Sequence, residues 1–122
     1  MIKLEGNSTK EVKALLNIPL FEWAIENIYK NAVDAMNGKG SIVTTVSEHE
    51  NTVVLDITDT GKGIPKSKFK TVFEPGFTTK ERGWGLGLSL TERIIENYHK
   101  GSIFVLQSEI NKGTTFRIIL NK

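Results

Sequence analysis

The sequence predicts an α+β domain: a two-layer α/β sandwich in which a mixed sheet of about five strands packs against about three helices. Two stretches carry apolar residues at helical spacing, one early and one late in the chain. Between and after them, short runs alternate apolar and polar residues with the period of half-buried strands. The order is a hairpin, a helix, two strands, a long loop, a helix and two strands, which implies a mixed sheet with helices on one face. The 122 residues suffice for one domain, 1–122, and are too few for two.

Residues 1–6 and 11–16 are short, partly apolar segments around Asn7-Ser8-Thr9-Lys10 and read as a hairpin. Pro19 opens the first helix, because proline is favoured in a first helical turn, and Gly38 with Gly40 supplies its stop. Leu20, Phe21, Ala24, Ile25, Ile28, Ala32 and Met36 form its apolar face. A strand over 41–48 places Ile42, Thr44 and Val46 on one face. A second, over 52–59, places Val53, Leu55, Ile57 and Asp59 on one face. The polar turn at residues 48–51 joins them. Residues 66–82 leave room for one short helix within a long loop, a length typical of a lid or binding loop. The second helix, from about Leu86 to Tyr98, has Leu90, Ile94, Ile95 and Tyr98 as its buried stripe. Strands over 102–109 and 114–120 close the chain, with Thr114, Phe116, Ile118 and Leu120 on the core face.

The composition is that of an ordinary globular protein: 39% hydrophobic, 25% charged. A net charge of +2 is too small to make nucleic acid the main partner. With no cysteine, thiolate metal sites, disulfides and cysteine nucleophiles are excluded. No apolar run approaches the ~20 residues of a membrane span. The chain reads as cytoplasmic, or as a cytoplasmic piece of something larger, with no direct membrane contact by this domain.

Four features carry chemistry. Asn27, Asn31 and Asp34 lie at i, i+4 and i+7 on the first helix. They form either a solvated face or, because amides are poor interior helix residues, a row of oxygen ligands suited to Mg²⁺. Asp59 ends a core-facing row, where a carboxylate is paired or awaits a ligand, and Gly61 and Gly63 follow it. An Asx turn is its plain structural role. The loop over 66–82 holds five cations against two carboxylates, a net +3 that suits polyphosphate. Phe73 and Phe77 would anchor it to the core. Gly83-Trp84-Gly85-Leu86-Gly87-Leu88 then runs into a helix N-terminus, where unpaired N–H groups attract phosphate oxygens.

In order, Asn27-x-x-x-Asn31-Ala32, Asp59-x-Gly61-x-Gly63, Phe73 through Phe77, Gly83-x-Gly85-Leu86-Gly87-Leu88 and Gly113-Thr114 resemble the ATP-binding catalytic domain of sensor histidine kinases. That domain has the Bergerat ATP-binding fold, shared with DNA gyrase, the heat-shock chaperone and mismatch-repair ATPases. The resemblance covers nearly the whole chain. It implies that Asn31 coordinates Mg²⁺ and that Asn27 contacts phosphates or metal-bound water. Asp59 would accept a hydrogen bond from the adenine amino group, Gly63 would allow close approach of the base, and Thr114 would reach the same edge through water. Asp34, Gly61, Ile64 and Phe73 would be further ATP-binding positions. The lid over 69–85, with Thr78, Thr79, Lys80 and Arg82, would close over the triphosphate. Backbone N–H groups of Gly85, Leu86 and Gly87 would cradle it, with Gly83 and Leu88 as further ATP-binding positions. Asn27, Asn31, Lys80 and Arg82 would be the catalytic set and Asn31 the metal ligand. Asp34 stands where many relatives have Lys, and Trp84 where they often have a small residue or Thr.

The resemblance implies in-line transfer of the γ-phosphoryl group to a histidine on a separate dimerisation domain, with a response regulator downstream. His49, in a turn, and His99, after a helix, lack the long amphipathic helix such an acceptor needs. The dimerising segment is not among these residues, so little turnover is expected from the domain alone. A superfamily ATPase or serine kinase is the nearest alternative, with Glu26 as its conceivable base although it points about 100° from Asn27 on an ideal helix. A non-catalytic nucleotide-sensing module is the other.

Overall fold

The computed structural model describes the backbone of residues 2–6 and residues 17–75 and 87–122 in full. Its strands are β1 (Ile2–Gly6), β2 (Ile42–Glu48), β3 (Thr52–Asp59), β4 (Ser102–Glu109) and β5 (Gly113–Asn121). They form one sheet in the order β1-β2-β3-β5-β4. β1 runs parallel to β2 and every other pair is antiparallel, so the sheet is mixed as expected. The first segment is thus a strand whose described neighbour is β2; residues 11–16, the second arm of the expected hairpin, lie outside the described residues.

Helix α1 (Ile18–Ala35) begins where Asn17 caps it: the Leu20 N–H donates to Asn17 Oδ1 at 3.2 Å, and Pro19 sits in the first turn. It ends through Asn37, at φ 53°, with the Gly38 N–H bonding back to the Val33 carbonyl at 3.0 Å. Ala24, Ile28, Ala32 and Met36 are buried, and Leu20, Phe21 and Ile25 pack at the margin. These meet Ile42, Ile57, Phe116, Ile118 and Leu120 from the sheet, which makes one core between the layers. The opposite sheet face is held by a two-pronged Arg117–Asp56 pair at 2.8 and 2.7 Å and by a Thr58–Thr115 hydroxyl pair.

Helix α2 (Gly87–Arg93) continues into a wide turn over Ile94–Tyr98, closed by the His99 N–H on the Ile94 carbonyl at 3.2 Å. This corrects the expected stripe: Ile94 and Ile95 are buried, but Tyr98 is 66% exposed. The i→i+5 bond widens the turn and rotates Tyr98 off the core face. His99 is buried instead. Its Nδ1 lies 2.9 Å from the Ile94 carbonyl and its Nε2 accepts the Asn17 N–H at 2.9 Å, which ties this turn to the start of α1. No helix among the described residues is long and apolar enough to cross a membrane.

Candidate functional site

The alternation of β3 carries Asp59 to the end of the core-facing row, where it is 5% exposed. Burial pushes its carboxyl above the ordinary value, while backbone N–H groups of Gly61 and Thr114 pull the other way. The Gly61 bond is 2.8 Å long, the short Asx contact that turns the chain after β3. No cationic side chain among the described residues pairs with it.

The turn that follows is clamped on both sides. A Cβ on Gly61 would lie 2.8 Å from the Ala35 backbone, and the Lys62 N–H donates to the Ala35 carbonyl at 3.0 Å. The α1 terminus therefore abuts the turn and requires glycine at 61. Gly63 has φ +80°, and a Cβ there would collide with the Glu109 carbonyl. The close approach at Gly63 is thus to the β4–β5 hairpin. The same hairpin is fastened by Asn111 N–H to the Lys62 carbonyl at 2.8 Å and by Ile64 N–H to Ser108 Oγ at 2.7 Å. Ser108 Oγ also donates to the Gly113 carbonyl at 3.0 Å and lies 2.7 Å from Thr114 Oγ1. Thr114 is buried and pairs in register with Asp59.

Along α1, Asn27 and Asn31 are half-buried and Asp34 is exposed. The Asn27 Nδ2 donates to the Trp23 carbonyl at 3.2 Å, and its Oδ1 lies 3.2 Å from where a Gly87 Cβ would stand. The first residue of α2 therefore closes on Asn27, as Gly61 closes on Ala35. Between these contacts the stripe runs about 12 Å along the helix axis. Glu26 lies off it, lining a 430 Å³ groove with Tyr29, Lys30, Val33 and Asp34.

The structure thus brings Asn27, Gly87, Asp59, Gly61, Gly63, Ile64 and Thr114 onto elements that touch one another. Phe73 is buried, edge-on to Phe116 at 6.0 Å. Leu88 packs at the core margin. Phe77, Thr78, Thr79, Lys80, Arg82, Gly83, Trp84, Gly85 and Leu86 lie outside the described residues. Sequence reading missed Ser108; the available signal was a hydroxyl on β4 placed opposite Thr114 across the hairpin. Among the described residues, no group of three His, Cys, Asp or Glu side chains is placed to hold a metal. Amide oxygens on α1 fit only a cation that keeps its water and phosphate ligands, which is the habit of Mg²⁺.

Residues 17–122 match the family of histidine kinase-, DNA gyrase B- and HSP90-like ATPases, and the chain belongs to that family. It is 44% identical over 96 residues to sporulation kinase A of Bacillus subtilis (strain 168), which covers 79% of this chain and 16% of that protein. The fold matches the nucleotide-free catalytic domain of histidine kinase ThkA with a TM-score of 0.87 at 28% identity, covering 99% of this chain and 78% of that one. A second solved structure, ThkA in complex with the response regulator protein TrrA, matches with a TM-score of 0.84 at 26% identity, covering 99% of this chain and 34% of that one. The chain thus spans about a sixth of the length of the kinase from B. subtilis.

Proposed function

We propose that this domain binds Mg²⁺-ATP and donates its γ-phosphoryl group to a histidine on a dimerisation domain of a longer cytoplasmic or membrane-bound sensor, with a response regulator downstream. Asp59 is the observation that carries it: a buried carboxylate with no cation partner among the described residues, at one end of the stripe that runs to Asn27 and Gly87. A nucleoside triphosphate laid along α1 would put its base at Asp59 and its phosphates at the start of α2. Asp59 accepts the adenine amino hydrogen, and Thr114 meets the same edge through water. Asn27 and Asn31 present amide oxygens to the phosphate end, Asn31 to Mg²⁺. Backbone N–H groups of Gly85, Leu86 and Gly87 cradle the phosphates, and Lys80 or Arg82 screens the γ-phosphate. The bound cation supplies charge neutralisation on the transferring group; the residues supply position.

Glu26 points about 100° from Asn27 around α1, which disfavours it as the water-activating base of an ATPase. ThkA, solved with a response regulator, supports a signalling role. The test is phosphoryl transfer from labelled ATP. Label is expected on histidine only when a dimerisation helix is supplied, and efficient labelling of the isolated domain would overturn the assignment. Asn31→Ala is expected to remove the Mg²⁺ dependence of ATP binding; retained dependence in a titration would move the metal elsewhere.

A further inference from the structure

Ser108 Oγ has one proton and two lone pairs, and it makes three contacts: it accepts from the Ile64 N–H, donates to the Gly113 carbonyl, and meets Thr114 Oγ1 at 2.7 Å. All three are satisfied together only if the Thr114 hydroxyl donates to Ser108. The proton of Thr114 is then turned toward β4, and only lone pairs remain for whatever lies beside Asp59. We infer that Ser108 is a positioning residue that fixes the Thr114 hydroxyl as an acceptor, so that the base edge meets two acceptors, Asp59 and Thr114, and an amino-purine is selected over an oxo-purine. This rests on the assignment of the base to the Asp59 end of the site.

The chemistry is that of matched polarity. The exocyclic amino group of adenine donates directly to Asp59 and, on the Thr114 side, to a water. The two protons of that water are taken by the Asp59 carboxylate and Thr114 Oγ1, so that only lone pairs face the base. The 6-oxo group of hypoxanthine would bring a third acceptor against them, which costs affinity because none of the three can supply a proton. Without Ser108 the Thr114 hydroxyl is released, can turn its proton toward the base, and tolerates the oxo group. Ser108 also holds Ile64, so its loss loosens the turn after Gly63; that effect weakens every purine nucleotide alike, whereas the polarity effect changes the ratio between them.

The experiment is calorimetric titration of the domain with ATP and with inosine triphosphate. The native chain is expected to prefer ATP, Ser108→Ala to lose about tenfold of that preference, and Ser108→Thr, which restores the hydroxyl, to recover it. If Ser108→Ala does not melt cooperatively, Ser108→Cys keeps the volume with weaker bonds and should show the same loss. A folded variant that keeps the native ratio, or weakens both nucleotides equally, overturns the inference while leaving the ATP assignment intact. A native chain that binds neither nucleotide overturns both.

Discussion

Burial raises the pKa of Asp59, and the Gly61 and Thr114 N–H groups only partly offset it. The folded chain holds this proton more tightly than the unfolded chain, so its contribution is favourable in acid. That contribution is lost as the pH rises from the ordinary carboxylate range through the raised value. Once ionised, the buried group opposes folding. Asp59→Asn is therefore predicted to raise the melting temperature of the nucleotide-free domain at pH 7 and to abolish ATP binding. A melt and a titration on one preparation check both, and near-native affinity would remove the base-binding role. At this scale the sequence disclosed Asp59 and Thr114 because strand parity points both inward. It did not disclose Ser108, since a strand serine shows nothing of its partners until the hairpin register is known. Gly63 was legible as a glycine that must be glycine, but the atom it makes room for is a Glu109 carbonyl.

At the scale of elements, α1 and the strands β2 to β5 were legible almost to the residue, because their apolar spacing and their Pro and Gly boundaries agree. The second helix was legible only to Ile95. A period of 3.6 carried past that point puts Tyr98 in the core, and the wide turn puts His99 there. His99 accepts from α1's cap residue, meets the Ile94 carbonyl, and stacks edge-on to Phe21 at 5.9 Å. His99→Ala removes both bonds and leaves a void, at a predicted cost of about 2–3 kcal/mol. Denaturant unfolding checks this. A change under about 0.5 kcal/mol would mean that the wide turn and the α1 cap are not coupled through the imidazole.

For the whole molecule, the proposed site requires three sequence-distant segments to meet along one helix. Gly61 closes on Ala35, Gly87 closes on Asn27, and the β4–β5 hairpin grips the turn between Asp59 and Ile64. The order of motifs in the chain was enough to identify the family, yet their separation is set by packing, which spacing alone does not encode. The Asn27–Asn31–Asp34 stripe shows this: from the sequence it is equally a solvated face, and its position between Gly87 and Gly61 is what supports reading it as one wall of the proposed site. The most direct test is calorimetric titration of the domain with ATP and GTP, each with and without Mg²⁺. Binding selective for ATP and dependent on Mg²⁺ is the predicted result. A folded domain that binds neither, or takes both alike, would contradict it.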